Sequence, residues 1–198
     1  MTTYLFIDGT NFYAGQYEFF GPNKYLDFSL FIKQVEKKLN IVFDKILFYA
    51  SYTPKKKRLT KKEYEFISNE FSFYRSVKKT PRVTFFKGYR SKTSGKEKEV
   101  DVKLSVDLVG YGLLGKFDSA YLITGDADFL QAVQFLKRHK PSVKIRLICL
   151  ANKIMYRGLY AIPSYIIDHQ EKKTLFDKKL IKRNKIVFIK FNELLKKI

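Results

Sequence analysis

The chain has 198 residues, of which 45% are hydrophobic, and its formal net charge at pH 7 is +20. This length and hydrophobic content fit one globular domain with a substantial core and exclude a disordered polypeptide. The positive charge favours a polyanionic partner, and nucleic acid is the commonest partner of that kind.

A single cysteine and two histidines restrict the chemistry that the chain can support. Cys149 has no partner for an internal disulfide, and with only His139 and His169 beside it a zinc site of cysteine and histidine is not expected. No apolar run approaches the roughly 20 residues of a membrane helix. The first residues lack the charged region and cleavage site of a signal peptide. We therefore expect a cytoplasmic protein with no membrane span.

Strand and helix patterns alternate through the first half of the chain. Residues 3–8 form a continuous apolar run, typical of a parallel strand that is buried on both faces. A short helix is predicted from Asn11 to Tyr17, and Gly21 and Pro22 end it. A second helix begins near Asp27, with a predicted inner stripe of Phe28, Phe31, Ile32, Val35 and Leu39. Residues 46–50 are the next predicted strand.

The alternation continues after a polar break at residues 53–58. Thr60 and Glu63 form a capping box, and the helix that follows has a predicted inner face of Tyr64, Ile67, Phe71 and Tyr74. Residues 83–86 are a predicted strand, and the composition of residues 91–99 indicates a mobile loop. A helix is predicted from about residue 99 to 114, with Val102, Val106, Val109 and Leu113 facing the core and Gly115 closing it.

The last third begins with a predicted strand at residues 120–123 and a helix that ends near Lys140, before Pro141. Residues 145–150 are a fifth strand, residues 154–160 a short helix, and residues 165–167 an edge strand. The alternation predicts an α/β fold, a three-layer sandwich around a mostly parallel sheet of about five strands. Residues 1–170 are the predicted domain. Residues 171–198, with ten lysines and arginines against three acids, are a basic extension, either a packed amphipathic helix or an appendage.

Aspartates follow the predicted strands at positions where ligands commonly bind. Asp8 ends the first strand, and Asp126 and Asp128 follow the strand at residues 120–123. Asp101 lies near the start of the helix that leads into that strand. In open α/β sheets ligands bind at the carboxyl ends of the strands, where the strand order reverses. Four carboxylates there would repel one another without a cation, so we expect a Mg²⁺ or Mn²⁺ site.

Each aspartate also has a simpler interpretation. Asp8 and Gly9 are a common turn pair, and Asp126 or Asp128 can serve only as a helix N-cap. Asp107 lies four residues after Lys103, and helical spacing makes a surface ion pair the simpler interpretation of these two residues.

Three segments together carry a resemblance to the NYN branch of the PIN-like nucleases. They are Phe-Ile-Asp-Gly-Thr-Asn at residues 6–11, Glu-Val-Asp-Val-Lys-Leu-Ser-Val-Asp-Leu at residues 99–108, and Thr-Gly-Asp-Ala-Asp-Phe at residues 124–129. Their order, spacing and strand–helix contexts all match, and the resemblance covers roughly residues 1–150. It implies a Rossmann-like, PIN-like fold and a metal-dependent endoribonuclease.

The resemblance also implies roles for individual residues. Asp8, Asp101 and Asp126 match the metal-binding acids, and Asp128 is the expected fourth. Asn11 matches an asparagine that orients an acid or a phosphate. Thr124 stands where these proteins usually have serine, and its hydroxyl is expected to contact phosphate or water. Asp107 also matches the family pattern. A role in supporting the metal-binding acids is therefore the alternative to its surface ion pair with Lys103. The implied reaction is metal-assisted hydrolysis of a phosphodiester without a covalent nucleophile.

Basic residues are predicted to bind the nucleic acid on the same face as the acids. The loop after the second strand contains Lys55, Lys56, Lys57 and Arg58. Lys87 and Arg90 follow the next strand, and Lys103 follows Asp101. Tyr52 and Tyr89 stand beside these residues, where they can stack on bases of a single strand. For each lysine alone, a solvated surface position is the simpler interpretation.

Four alternatives stay open at this point. A haloacid dehalogenase-type phosphatase shares the Asp8-Gly9-Thr10 pattern, but Phe6 occupies the place of its nucleophilic aspartate. A non-catalytic RNA-binding or interaction module could retain the same fold. The basic, Phe-rich tail could bind a membrane surface. DNA is an alternative to RNA as a substrate, because a metal site acts on phosphate rather than on the sugar. The chain could also form a homo-oligomer.

Overall fold

A computed structural model describes residues 1–21, 24–54, 58–90, 97–153, 162–167, 187–189 and 195–197. Its strands are β1 (Thr3–Asp8), β2 (Lys24–Leu26), β3 (Lys45–Ala50), β4 (Val83–Lys87), β5 (Tyr89–Arg90), β6 (Glu97–Lys98), β7 (Ser119–Ile123), β8 (Lys144–Leu150), β9 (Ser164–Ile167), β10 (Val187–Ile189) and β11 (Leu195–Lys197). Its helices are α1 (Gly9–Phe20), α2 (Phe28–Leu39), α3 (Lys61–Lys79), α4 (Val100–Leu113) and α5 (Leu130–His139), with a 3₁₀ turn at Ala127–Phe129 before α5.

In the described part of the chain, a seven-stranded sheet has the order β10-β9-β8-β7-β1-β3-β4. All of its neighbouring strands are parallel. The chain builds from β1 outward to β3 and β4, and then continues with β7 on the other side of β1. The strand order therefore reverses between β1 and β7, and this is where a crevice opens in sheets of this kind.

The α/β class and the mostly parallel sheet are confirmed, but the strand count and the position of one strand differ from expectation. β9 is present where an edge strand was predicted, but β10 pairs with it and becomes the edge. Two small antiparallel pairs, β5 with β6 and β11 with β2, were not predicted. These are strands of two or three residues, too short to produce a periodic pattern in the sequence.

Side chains alternate along the central strands and pack into one core on each face of the sheet. Leu5 and Ile7 of β1 join a core with α1, α2 and α3, whereas Phe6 joins a core with α4 and α5. The three layers are therefore α1–α3, the sheet, and α4–α5. Because β1 is covered on both faces, its residues are apolar without alternation, as in other buried parallel strands.

The first two layers are joined by a large cluster of aromatic rings. Phe73 of α3 stacks on Tyr13 of α1 with ring centroids 5.7 Å apart, and it also contacts Phe28 and Phe48. Aromatic pairs of this kind add to the free energy that burial contributes. The predicted stripe of α2 is confirmed, since Phe28, Phe31, Ile32 and Val35 are buried.

The predicted inner faces of α3 and α4 are wrong in large part. In α3, Tyr64 and Phe71 are exposed, and the buried residues are Glu70, Phe73, Tyr74 and Val77. In α4, Val102, Val106 and Leu113 are exposed, and the buried residues are Val100, Leu104, Leu108 and Gly112. Each helix carries apolar residues on two faces, so periodicity alone offered two solutions. Packing against the aromatic cluster selects the buried face of α3, and packing against Phe129 selects the buried face of α4.

Helix ends follow the local sequence closely. Asp27 caps α2 by accepting from the Leu30 N–H, and the predicted capping box of Thr60 and Glu63 is present at the start of α3. Gly115 follows the end of α4 with a φ of 67°, the left-handed conformation that glycine adopts without strain. These caps fix where the loops begin at both edges of the sheet.

Some predictions fall wholly or partly outside the described residues. The short helix at residues 154–160 lies there, as do most of residues 171–198 and residues 91–96 of the loop predicted at residues 91–99. Residues 97–98 of that loop form β6 instead. Within residues 171–198 the described residues form the strands β10 and β11, and the division at residue 170 stays a prediction. No described helix is both long and apolar enough to cross a membrane.

Candidate active site

Asp8 and Asp126 come from the two strands that flank the point of reversal. Ile7 of β1 is paired in register with Ile123 of β7, so Asp8 and Thr124 leave adjacent strands at the same edge of the sheet. Asp8 is 4% exposed and caps α1, because its Oδ1 accepts from the Asn11 N–H at 3.1 Å. The strand end and the helix start together hold this carboxylate in place.

Thr124 connects the two acids through its hydroxyl. Its Oγ1 donates to Oδ2 of Asp8 at 3.0 Å and accepts from the backbone N–H of Asp126, also at 3.0 Å. Because Thr124 is 1% exposed, this hydroxyl is committed to the protein. The contact between Thr124 and phosphate that the resemblance implies stays a prediction.

Asn11 ties the loop after β7 to the start of α1. Its Oδ1 accepts from the Gly125 N–H at 3.1 Å. This bond orients the side-chain amide, so that its oxygen contacts the protein and its Nδ2 is available as a donor. The expected orienting role of Asn11 therefore has a physical basis in the loop that carries Asp126.

Asp126 and Asp128 belong to a single turn. Oδ1 of Asp126 accepts from the Asp128 N–H at 3.0 Å and so caps the 3₁₀ turn. The simpler interpretation of Asp126 as an N-cap is therefore correct, but it does not exclude a second role, since a carboxylate has about four acceptor positions. Asp126 is half-buried, and Asp128 is exposed at the rim.

Asp101 lies in the first turn of α4, at the same edge of the sheet, and is exposed. α4 packs against β1, β3 and the 3₁₀ turn. Glu99, which precedes α4, has a φ of 75°, an uncommon conformation for a residue other than glycine. Such backbone strain is frequently found near functional sites.

The four acids share one edge of the sheet but do not form a ready metal cage. Among the described residues, no three acidic, histidine or cysteine side chains are grouped closely enough to hold a metal ion. Asp8 and Asp126 turn toward local N–H and O–H donors, which satisfies part of their acceptor capacity. The predicted convergence of Asp8, Asp101, Asp126 and Asp128 on one ion is not observed, and the assignment of ligands stays a prediction.

The donor set nevertheless fits Mg²⁺ or Mn²⁺. All candidate ligands here are oxygen atoms, which suit hard cations and not zinc or copper. Mg²⁺ is usually held by only one or two carboxylates, with waters and substrate phosphates completing its shell. Asp8 and Asp126, linked through Thr124, can supply that pair, so a cage of four protein carboxylates is not required.

Asp107 forms both the expected ion pair and a contact that the sequence did not indicate. Lys103 Nζ lies 2.6 Å from Oδ1 of Asp107, and the Tyr49 hydroxyl donates to Oδ2 at 2.8 Å. Tyr49 is paired in register with Asp8. Burial, and then the hydrogen bond to Asp107, raise the pKa of Tyr49 above its ordinary value, so its hydroxyl stays a neutral donor. No sequence motif marks this tyrosine.

The structure describes only some of the predicted nucleic-acid-binding residues. Arg58 and Lys87 are exposed, and Lys87 Nζ lies 5.5 Å from the centre of the Tyr52 ring. Lys103 is half-buried and paired with Asp107. Lys55, Lys56 and Lys57 lie outside the described residues, as does the side chain of Arg90, whose backbone belongs to β5. His139 is the last residue of α5, and His169 lies outside the described residues.

Two further residues support residues 124–129, the acidic loop that carries Asp126 and Asp128. Cys149 of β8 donates a hydrogen bond to the carbonyl of Thr124. Burial raises the pKa of its thiol, which therefore stays neutral and structural. Gly125 lies so close to the carbonyl of Lys153 that a Cβ at this position would overlap it. The sequence indicated only a turn at Gly125, because this close approach depends on the loop after β8.

Replacing Thr124 by valine tests the link between the two acids. Valine keeps the shape of threonine but removes the donor to the buried Asp8 carboxylate. We expect the free energy of unfolding to fall by about 1–3 kcal/mol and any cleavage of RNA to fall about 10- to 100-fold. Thermal unfolding and cleavage rates measure these two effects. Thr124→Ser retains the hydroxyl and should stay close to the unsubstituted protein. Equal losses in both variants would contradict the role of the hydroxyl.

Comparison with known proteins gives one family and one similar structure. The sequence profile described as NYN domain matches residues 2–168. The chain is also similar to a crystal structure of a protein of unknown function from Vibrio parahaemolyticus, with a TM-score of 0.58 and 14% identity. That match covers 98% of this chain and 96% of the other and supports the fold alone. No curated protein matches the chain.

Proposed function

This chain belongs to the NYN domain family, and we propose that it is an endoribonuclease that hydrolyses RNA phosphodiester bonds with the help of Mg²⁺ or Mn²⁺. Proteins of this family are typically nuclease-like and generally act on nucleic acid. The observation that carries the proposal is the hydrogen-bonded chain from Asp8 through Thr124 to Asp126, at the point where the strand order reverses.

Asp8 and Asp126 are the residues that would hold the cation, with Asp128 and Asp101 at the rim of the site. A bound divalent ion would supply an activated water and charge stabilisation for in-line attack on the phosphodiester. The hydrogen bonds of Asp8 to Asn11 and Thr124 fix its carboxylate before substrate arrives. Such preorganisation lowers the cost of reaching the transition state.

The remaining polar groups of the site would position the substrate. Nδ2 of Asn11 can donate to a phosphate oxygen, since Oδ1 is already engaged by Gly125. Lys87 at the end of β4 and Arg58 in the loop after β3 are exposed cations at the same edge of the sheet. They would attract and guide the phosphate backbone without contributing to the chemical step.

A non-catalytic RNA-binding module of the same fold is the second candidate. It is favoured by the lack of three grouped acids in the described part of the chain. A net charge of +20 would serve a binder as well as an enzyme. Cytoplasmic location remains part of the first proposal, and DNA remains an alternative substrate.

Cleavage assays with and without metal distinguish the two candidates. Labelled single-stranded and structured RNAs, with a matched DNA, are incubated with the protein in Mn²⁺, in Mg²⁺ or in EDTA. The nuclease is expected to cut RNA in one or both metals and to lose all activity in EDTA. Salt-sensitive RNA binding without cleavage in either metal would instead support the binding module. Preferential cutting of DNA would reassign the substrate.

A further inference from the structure

A cavity of about 500 Å³ lies between the loop after β3 and the outer side of α3. Its apolar walls include Tyr52, Tyr64 and Phe71, and its polar groups include Thr53, Ser68 and Glu70. A cavity with aromatic walls and a few polar groups is the usual form of a site for a flat organic group. The roles described for the acidic site, which consists of Asp8, Asp101, Asp126 and Asp128 with Asn11 and Thr124, do not involve this cavity. Tyr52 and Arg58 are the residues near it that were predicted to bind nucleic acid.

The segment after β3, which lines the cavity, is hydrogen-bonded to the start of α1, close to Asp8 in the sequence. The Ser51 N–H lies 3.4 Å from Oγ1 of Thr10 and donates to it. Thr10 is two residues after Asp8, and Ser51 directly precedes Tyr52. The strands β1 and β3 that carry these residues are neighbours in the sheet. Asp8 and the loop that lines the cavity therefore leave neighbouring strands at the same edge of the sheet.

One wall of the cavity is held by hydrogen bonds and by ring packing. Glu70 is 2% exposed and accepts two hydrogen bonds from Thr53, from its N–H at 2.8 Å and from its hydroxyl at 2.9 Å. Tyr52 packs edge-on against Tyr74 at 5.2 Å. Tyr52 and Thr53 are therefore held in place before any ligand binds.

Two aromatic side chains on the other wall are left open to solvent. Tyr64 is 64% exposed and Phe71 is 57% exposed, and both lie on one face of α3. Large aromatic residues seldom stay exposed together unless they serve a contact. Their exposure was not expected, since the sequence pattern had placed both in the core.

The surroundings of the cavity carry more cations than carboxylates, which are Glu63 and Glu65 of α3 and the buried Glu70. Arg58, Lys61, Lys62 and Arg75 are exposed nearby in sequence, and Lys78 Nζ lies 5.3 Å from the centre of the Tyr52 ring. Exposed aromatics among cations are typical of single-stranded nucleic-acid sites, in which bases stack and phosphates pair with the cations. An apolar protein partner would gain nothing from this charge.

We propose that this cavity binds an unpaired nucleobase of the RNA whose backbone lies at Asp8 and Asp126. This inference rests on the proposed function and adds a base-binding subsite to it. Tyr64 and Phe71 would stack on the base, and the cations around them would hold the neighbouring phosphates. A base paired in a duplex cannot enter, so the protein would prefer single-stranded segments beside the bond that it cuts.

Binding measurements on exposed aromatic variants test the proposal. Tyr64→Ala and Phe71→Ala are compared with Phe135→Ala, which removes an aromatic side chain that is 45% exposed on α5, in the opposite layer. Fluorescence anisotropy gives the Kd for a labelled single-stranded RNA and for its duplex. Each cavity variant is expected to weaken single-strand binding about 5- to 100-fold and to leave duplex binding unchanged. Phe135→Ala and Tyr64→Phe should change neither.

A fluorescent reporter makes the test independent of affinity changes. The chain has no tryptophan, so Phe71→Trp introduces a single indole into the cavity, and Phe135→Trp is its control. Single-stranded RNA is expected to quench the first indole and not the second. Unchanged RNA binding by both alanine variants, or equal quenching of both indoles, would overturn the proposal and leave the cavity to a protein partner.

The outcomes also separate this inference from the proposed function. Metal-dependent cleavage that both alanine variants retain, with unchanged Kd, would overturn the base pocket but keep the nuclease. If the alanine variants weaken RNA binding but the protein cleaves no RNA, the base-binding cavity is retained and the protein is a binding module instead of a nuclease. Absence of any RNA binding would overturn both.

Discussion

Asp126→Asn is expected to reduce RNA cleavage by at least about 100-fold, the upper end of what residues supporting a metal ligand contribute. Asparagine has the shape of aspartate and is an equally good N-cap, so the bond to the Asp128 N–H should survive. The fold therefore stays intact while the charge that would hold the cation is lost. RNA binding should be equal or tighter, because one negative charge facing the phosphates is removed. Cleavage rates and anisotropy on the same RNA measure both effects.

Asp118→Asn is the matched control for this variant. Asp118 precedes β7 at the opposite edge of the sheet, and its Oδ2 accepts from the Thr2 N–H at 2.7 Å. The same chemical change there should leave cleavage within about twofold of the unsubstituted protein, since exposed polar substitutions seldom perturb the fold. Full activity of Asp126→Asn would contradict the proposed metal site. Loss of activity in both variants would indicate general destabilisation.

The sequence predicted the central architecture well because apolar strands and capped helices are local features. Asp8 and Asp126 follow continuous apolar runs, and such runs are strands buried on both faces. The parallel order brings their ends to one edge, and the reversal between β1 and β7 follows from the same reasoning. The positions of Asn11 and Thr124 in the motifs indicated that they were important, but not that each binds the loop of the other strand.

The sequence could not predict features that depend on packing between distant segments. Which face of α3 is buried depends on the ring of Phe73 meeting Tyr13 and Phe48, residues far away along the chain. The cavity at Tyr64 and Phe71 is a consequence of that choice. The contact between Tyr49 and Asp107 joins a strand to a helix 58 residues later and has no local signature.

Gly125→Ala is expected to destabilise the protein by about 1–3 kcal/mol or more, the usual cost of overpacking. Its Cβ would overlap the backbone carbonyl of Lys153, which cannot rotate away as a side chain can. The loop after β8 is held by the bond from the Lys153 N–H to the Leu150 carbonyl and by Asn152, which donates to the Gly15 carbonyl. The acidic loop must then move instead, and Asp126 moves with it. Thermal unfolding should show a fall in Tm of roughly 2–12 °C for a chain of this size.

Gly110→Ala shows whether that loss comes from the close approach or from removing any glycine. Gly110 lies inside α4, and beyond its chain neighbours and the backbone of its own helix a Cβ there would meet no atom within 4 Å. Alanine lowers the conformational entropy of the unfolded chain and favours helix, so this variant should be more stable by roughly 0.5–1 kcal/mol. The two substitutions add the same methyl group and are expected to shift Tm in opposite directions. If Gly125→Ala were as stable as Gly110→Ala, the loop after β8 would not hold the acidic loop in place. The position of Asp126 would then depend on its bonds to Thr124 and Asp128 alone.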